Sequence, residues 1–161
     1  MKPRKENSQD LGFLNELDED IRSRFLEEGR FVEKKQGDYL AVQGQPLEVM
    51  SVIISGSVRL TVNSHGNTVT VTSLGSGDIF GEMSVIDPRK ASATARVSGG
   101  PARLWSIDYR SFNDFIASDP SIGFNIMKAM AVILCRKLRT DNENMLHQAS
   151  DMCSHFLDQD Y

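Results

Sequence analysis

The sequence predicts a mainly β domain with flanking helices and a long C-terminal helix. Between residues 31 and 107, short runs rich in Val, Ile, Thr and Phe are interrupted by Gly, Pro and Asn at intervals of about ten residues. This pattern is typical of an antiparallel sandwich or roll. From residue 124 to the C-terminus the sequence contains no Gly or Pro, which favours one continuous helix.

The composition is that of a soluble globular protein, with 40% hydrophobic and 25% charged residues among 161. We expect residues 1–120 to form an N-terminal helix and the roll, and residues 121–161 to form the long helix and an acidic tail. The N-terminus has no apolar signal segment. The longest apolar run, 129–135, has seven residues, whereas a helix that crosses a bilayer needs about 20. We therefore expect a cytoplasmic protein with no membrane contact.

The individual elements follow from local patterns. Residues 18–29 predict an amphipathic helix that ends at Gly29, with Ile21, Phe25 and Leu26 on one face. In the β region, glycines at 56 and in the 99–101 segment are expected to separate strands.

A hairpin and a second short helix complete the predicted elements. Val and Leu alternate with Thr on both sides of a Gly66-Asn67 turn, which predicts a β-hairpin. Residues 109–117 predict a short helix that ends at Asp119-Pro120.

The long C-terminal helix carries a stripe at alternating spacings of four and three residues, which is a heptad pattern. The stripe consists of Ala131, Cys135, Leu138, Asn142, Met145, Ala149, Met152 and Phe156. A single Asn in such a stripe fixes the register of a parallel helix pair. We expect a homodimer through residues 121–156; the alternative is that the stripe packs against its own domain.

The segment DIFGEMSVIDPRKASATARV (78–97) predicts a strand followed at once by one helical turn. Free amides at the start of such a turn, after Gly81, can bind an anion. The neighbouring carboxylate of Glu82 is tolerated beside an anion when a hydroxyl donates to it. An adjacent anion and hydroxyl describe a nucleotide phosphate and its ribose; the alternative is an ordinary capped turn.

Several longer strings resemble the cyclic nucleotide-binding domain family, which includes the bacterial catabolite activator protein and regulatory subunits of cyclic-AMP-dependent kinase. They are QGDYLAVQGQPLEVMSVIISGSVRL, LGSGDIFGEMSVI, SATARV and LWSIDYRSF, with glycines at 37, 44, 56 and 77 in the family's order and spacing. The resemblance covers about residues 13–145. It implies an eight-stranded β-roll, a jelly-roll-like double-stranded β-helix, that encloses a cyclic nucleotide.

The resemblance also implies roles for individual residues. Glu82 takes the ribose 2′-hydroxyl, Gly81 and Met83 offer backbone groups, and Ser92 lies near the phosphate. The remaining implied contacts are with the base and sugar, from Leu60, Val71 and Thr72 in the roll and from Asp141 and Asn142 in the long helix.

One position departs from the family pattern. The family places an arginine directly before Ser-Ala-Thr, to bind the phosphate, whereas this sequence has Ala91 there. Either Arg89 or Lys90 reaches the same anion, or the cation has been lost. The identity of the cyclic nucleotide therefore stays open.

Other functional classes find less support. Three scattered histidines and no metal-ligand spacing argue against an enzyme and against a metal cofactor. Residues 141–161 hold four Asp and one Glu but no Lys or Arg, and no helix-turn-helix follows, so we expect no nucleic-acid binding.

Three hypotheses remain. The leading one is a cyclic AMP sensor that signals to an unidentified protein partner through its C-terminal helix. The second is a degenerate domain that serves as a dimeric interaction scaffold and binds no nucleotide. The third is a DNA-binding regulator whose effector domain lies outside this sequence.

Overall fold

The chain folds into an antiparallel β-roll that is preceded and followed in the sequence by helices. The computed structural model describes residues 11–157, and side chains within residues 11–147. A 3-10 helix spans Gly12–Glu16, and the α-helices are α1 Glu19–Glu28, α2 Glu82–Ile86, α3 Tyr109–Ser118 and α4 Pro120–Leu157. The strands are β1 Arg30–Lys34, β2 Tyr39–Ala41, β3 Val49–Ser64, β4 Asn67–Leu74, β5 Ile79–Phe80 and β6 Thr94–Asp108. The predicted fold class is confirmed.

Two long strands, β3 and β6, are the central pair of the sheet. They pair antiparallel from Val49 opposite Asp108 to Thr61 opposite Thr94. The shorter strands attach to this pair: β1 and β2 to β6, and β4 and β5 to β3. The register shifts between Ile53 and Ser55 and again between Ser55 and Ser57, across Gly56, where residues 99–102 of β6 have no partner on β3.

The breaks predicted at Gly56 and at 99–101 are therefore wrong, because both lie inside continuous strands. A glycine that permits a bulge leaves the same sequence signal as one that ends a strand. Each of β3 and β6 can be counted as two strands, one on either side of the bulge at Gly56. The six strands of the described region then become the eight that the family resemblance implied.

The hairpin between β3 and β4 turns one residue earlier than predicted. His65 and Gly66 occupy the turn with φ of 52° and 83°, and Ser64 pairs with Asn67. A two-residue turn of this kind needs positive φ at both central residues, a conformation that His adopts more readily than most residues. Asn67 is consequently the first residue of β4.

Helices α1 and α3 begin and end within one residue of the bounds that the sequence predicted. Phe25 of α1 is fully buried, and its ring centroid lies 5.3 Å from those of Trp105 and Phe115. Asp108 precedes α3 and accepts hydrogen bonds from the backbone amide and the hydroxyl of Ser111, at 3.0 and 2.9 Å. These bonds hold the pKa of Asp108 below its ordinary value.

The first third of α4 belongs to the same core as α1 and α3. Ile122, Ile126, Ala129 and Met130 are buried with Phe25 in one apolar cluster. A second cluster, which includes Ile53 and Leu104, fills the roll. The division of the chain at residue 120 stays a prediction.

Beyond Met130, no described side chain of α4 is fully buried, although Ile133 still packs against the core. The heptad positions Ala131, Cys135, Leu138, Asn142 and Met145 are all exposed in the single chain. The heptad positions 149, 152 and 156 lie outside the described side chains. None of the helices between residues 11 and 157 has the combination of length and apolar content that a bilayer crossing requires.

The bulge glycine gives a direct test of the roll. Gly56 has φ of 93°, and an added Cβ would lie 2.6 Å from the carbonyl oxygen of Pro101. Gly56→Ala should lower the free energy of unfolding by at least about 2 kcal/mol, from the left-handed backbone and the steric overlap together. Denaturant unfolding followed by circular dichroism would measure this loss.

Two glycines of the same chain serve as controls. Gly66 has φ of 83° but open space around its Cβ position, so Gly66→Ala should cost only about 1–2 kcal/mol. Gly75 has neither constraint, so Gly75→Ala should change stability by less than about 0.5 kcal/mol. Equal losses in all three variants would contradict the assigned role of the bulge.

Candidate functional site

The turn at 81–86 is built as the sequence suggested, and the roll fixes its position. β5 pairs with β3 through Ser51 opposite Phe80, and α2 begins two residues later at Glu82. Gly81 caps α2 in the left-handed region with φ of 75°. An added Cβ would overlap the carbonyl oxygen of Val49, so the glycine also lets β5 and α2 lie close against β3.

A cavity of about 280 Å³ opens beside this turn. Its volume is near the lower end of the range of about 300–1,000 Å³ typical of ligand pockets. Residues of β3, α2, the 87–93 loop, β6 and α4 contribute to its wall. Seven of the predicted site residues line it: Leu60, Gly81, Glu82, Met83, Arg89, Lys90 and Ser92.

The other four predicted residues lie outside this lining in the single chain. Val71 and Thr72 are exposed on β4, where Thr72 pairs with Leu60. Asp141 and Asn142 are exposed on α4, about one turn beyond the cavity. Their contacts with base and sugar stay predictions.

Glu82 is the most unusual side chain of the site, because it is a carboxylate with only 10% of its side chain exposed. Its Oε1 accepts a hydrogen bond from the Nζ of Lys137 at 3.0 Å. The same Nζ donates to the carbonyl oxygen of Ile79 at 2.8 Å. A buried charge is costly unless it is paired, and α4 supplies the partner for this one.

Sequence reasoning missed Lys137, although one signal was present. Ile126 and Met130 are buried, Ile133 packs against the same core, and Lys137 follows at the next inward position of the helix. A lysine at the end of an inward apolar stripe indicates a buried acceptor on the facing element. The acceptor itself lies 55 residues earlier in the chain.

The loop that should bear the phosphate cation is held to the segment before β3. Lys90 forms a bridge with Pro46, and the amide of Ala91 donates to the carbonyl oxygen of Gln45 at 2.8 Å. Ala91 itself packs against the apolar cluster of the roll. The loop backbone is therefore fixed, with the methyl group of Ala91 in the cavity wall.

The two candidate cations of the loop differ in their partners. Arg89 pairs with Asp87, with 2.7 Å between Nε and Oδ2, and both side chains are largely exposed. Lys90 has no ion-pair partner within residues 11–147. The charged residues of the lining are Glu82, Asp87, Arg89, Lys90 and Lys137, so the cavity carries one excess positive charge.

A larger and shallower concavity of about 900 Å³ lies on another surface of the roll, around Arg59 and Arg96. None of the predicted site residues lines it. Arg96 donates to the carbonyl oxygen of Gly37 at 2.8 Å and lies over the ring of Tyr39. The smaller cavity is the better candidate site, since it combines a buried carboxylate with a cation that has no partner there.

Similar proteins of known sequence bind or respond to cyclic nucleotides. A CRP-like cAMP-activated global transcriptional regulator of Mycobacterium tuberculosis is 31% identical over 117 residues, which are 71% of this chain and 49% of the regulator. A cyclic AMP receptor protein of Thermus thermophilus is 31% identical over 105 residues, or 65% of this chain and 46% of that protein. The chain thus spans about half the length of the curated relatives it matches.

Solved structures show the same fold. A cyclic nucleotide-binding domain from Methylobacillus flagellatus superposes with a TM-score of 0.80 at 19% identity, covering 87% of this chain and 82% of that one. The Thermus thermophilus catabolite activator protein superposes with a TM-score of 0.68 at 25% identity, covering 83% and 61%. Residues 31–119, more than half of the chain, match the cyclic nucleotide-binding domain, and the chain therefore belongs to that family.

Proposed function

We propose that this protein is a cyclic nucleotide sensor, with cyclic AMP as the first candidate ligand. The observation that carries the proposal is the cavity at α2, where the buried carboxylate of Glu82 faces a loop with a cation that has no partner in the described chain. An anion and a hydroxyl at a fixed spacing match this arrangement. The relatives that are described as cAMP-activated or as cyclic AMP receptors support the choice of nucleotide.

Each part of the ligand has a candidate contact. The second carboxylate oxygen of Glu82 accepts a ribose hydroxyl, because Oε1 already accepts from Lys137. Lys90, together with Ser92 and backbone amides at 81–83, faces the cyclic phosphate. Leu60 offers an apolar surface to the base.

The output is a change at α4 that a second protein detects. The exposed stripe from Ala131 to Met145 supports a parallel homodimer, since these positions alternate in spacings of four and three and none of them is covered in the single chain. A ligand that prefers one position of α4 shifts the population toward it, and an unidentified protein partner would read that position.

A second function, a dimeric scaffold that binds no nucleotide, is favoured by one observation. Ala91 stands where the family has its phosphate arginine, and Arg89 is already paired with Asp87. In that case the partner would bind α4 equally well with and without nucleotide.

Calorimetric titration distinguishes the two functions. Wild-type protein should bind cyclic AMP or cyclic GMP, and Glu82→Gln should bind about ten- to a hundredfold more weakly, because a charge-assisted hydrogen bond contributes about 1.5–3 kcal/mol. Glu27→Gln, on the exposed side of α1, is the matched control and should bind like wild type. No heat with either nucleotide, at protein concentrations that detect micromolar binding, would leave the scaffold as the function.

The phosphate contact is tested at the loop. Lys90→Met should weaken cyclic AMP binding about tenfold or more, whereas Arg89→Met should have a smaller effect because Arg89 is paired with Asp87. Titration with adenosine, which has the ribose but no phosphate, is the control and should not distinguish Lys90→Met from wild type. A larger loss in Arg89→Met would assign the phosphate to Arg89 instead.

The dimer is tested by sedimentation velocity. Leu138→Glu combined with Met145→Glu should convert the dimer into a monomer, because both changes place charges in the apolar stripe. Thr140→Glu combined with His147→Glu adds the same charges on the opposite side of the helix and should leave the dimer intact. A wild-type protein that sediments as a monomer would rule out the proposed pairing.

A further inference from the structure

The larger concavity of the roll, of about 900 Å³, has two arginines in its wall and no acidic residue. The two arginines, Arg59 and Arg96, are directly opposite each other in the pairing of β3 with β6. Directly opposite residues of an antiparallel pair have their Cβ atoms about 4.5–5.5 Å apart, so like charges there lower the stability of the sheet. A cost of this kind calls for a group that offsets it.

The neighbouring residues do not offset the charge of this pair. On its other side Arg59 is paired with Ser73 of β4, and Arg96 is paired with Tyr39 of β2. Neither arginine forms an ion pair within residues 11–147. The concavity therefore carries two positive charges, on a chain whose formal net charge is −4.

The guanidinium group of Arg96 is held in one orientation by the chain. Its Nε donates to the carbonyl oxygen of Gly37 at 2.8 Å, and its Cζ lies 5.1 Å from the ring centroid of Tyr39. Gly37 leaves room for this group, because an added Cβ would lie only 3.2 Å from Nη2 of Arg96. The four terminal N–H donors of Arg96 have no acceptor among residues 11–147, so they are available in a fixed position.

Arg59 and two threonines complete the donor set. The side chain of Arg59 is exposed and has no hydrogen-bond, ion-pair or aromatic partner within residues 11–147. Thr61 and Thr94 are opposite each other two residues further along the same strands, so they share the face of the arginines. Thr94 Oγ1 accepts the amide of Gln43 at 3.0 Å, which leaves its O–H as a donor.

We infer that this concavity is an anion site, separate from the cavity at α2, that takes the phosphate group of a phosphomonoester or a diphosphate. Such a phosphate has three terminal oxygens and a charge of about −1.5 to −2, so it can accept from both guanidinium groups at once. A carboxylate has only two oxygens, which a single guanidinium group occupies in the bidentate arrangement. The inference does not rest on the proposed function.

The repulsion between the arginines makes the site testable through stability as well as binding. A phosphate that binds only the folded protein stabilises it by mass action, and it also offsets the repulsion. Removing the charge of Arg59 offsets the repulsion too, but it destroys the site. A ligand-binding arginine and a structural arginine are thus expected to change stability in opposite directions.

The test uses the full chain, with pyrophosphate as the probe in about 150 mM chloride, where weak surface electrostatics are screened. Arg59→Gln removes the charge, and Arg59→Lys keeps the charge but not the planar fork. Arg30→Gln is the matched control, because Arg30 is an exposed strand arginine that does not line the concavity. Affinity is measured by calorimetry, and stability by thermal unfolding.

We expect wild-type protein to bind pyrophosphate with a Kd below about 1 mM. Arg59→Gln should bind about tenfold or more weakly, Arg59→Lys should be intermediate, and Arg30→Gln should match wild type. Without ligand, Arg59→Gln should unfold at the same temperature as wild type or higher, and pyrophosphate should raise the midpoint of wild type only.

Three results would overturn the site. They are no binding by wild-type protein, equal binding by Arg59→Gln, and a lower unfolding midpoint of free Arg59→Gln, which would give Arg59 a structural role. Malonate, a dianion with two carboxylates, should bind more weakly than pyrophosphate, and equal affinity would overturn the choice of phosphate. Tighter binding of ADP than of pyrophosphate would assign the phosphate to a nucleotide, and equal binding would assign it to the phosphate groups alone.

Lys90→Met shows which cavity holds the ion. Pyrophosphate binding that is lost in Lys90→Met and kept in Arg59→Gln would place the ion in the cavity at α2 and overturn this inference. Loss in Arg59→Gln with binding kept in Lys90→Met would support it. The result is independent of the sensor function, because a protein that binds pyrophosphate through Arg59 but no cyclic nucleotide would keep this site and lose only the proposed function.

Discussion

The antiparallel pairing of β3 with β6 is the constraint on which the rest of the structure depends. Each of the other strands of the described region is bonded to one of these two, and the hydroxyls of Ser51 and Ser106 hydrogen-bond across the pair at 2.7 Å in the buried interior. Ser51 also faces Phe80 of β5, so the same point of the ladder sets where α2 begins. Leu60, opposite Ala95 further along, forms the other side of the cavity. The strand ladder therefore sets the distance between α2 and Leu60 across the cavity.

The charged groups of the cavity differ in whether they have a partner within the described chain: the carboxylate of Glu82 has one, and the ammonium group of Lys90 has none. Glu82 is buried and has Lys137 as its partner, whereas the neighbouring loop holds Lys90 without an ion pair among the described residues. The backbone of that loop is held by the amide of Ala91 on Gln45. If an anion binds beside this loop, little of the binding free energy would be lost to ordering the loop backbone.

The sequence predicted those features that depend on local periodicity. The spacing of Ile21 and Phe25 placed α1, and the absence of Gly and Pro after Gly123 placed α4. The local turn pattern identified Gly81 and Glu82, and the resemblance to the family added Leu60, Met83 and Ser92 to the predicted cavity wall. Arg89 and Lys90 were predicted because the sequence departs from the family pattern at Ala91.

What could not be predicted depends on contacts between distant segments. Gly56 has the same local signal whether it ends a strand or forms a bulge, and only the pairing with residues 98–103 distinguishes the two. Likewise, the inward apolar stripe of α4 marks Lys137 as a side chain that faces the roll, but it does not identify the acceptor. Its acceptors become visible only when α4 lies beside β5 and α2.

Helix α4 is attached to the roll at Lys137, which donates hydrogen bonds to Glu82 and to the carbonyl oxygen of Ile79. Because a long part of the helix follows this residue, Lys137 can act as a pivot. From Lys137 to Leu157, the last residue of α4 that the structure describes, there are 20 residues, which at 1.5 Å per residue make an arm of about 30 Å. A tilt of about 10° at the pivot displaces the far end of such an arm by about 5 Å, roughly one helical turn. If α4 tilted at this point, a displacement shorter than a side chain there would become a displacement of about one helical turn at Leu157.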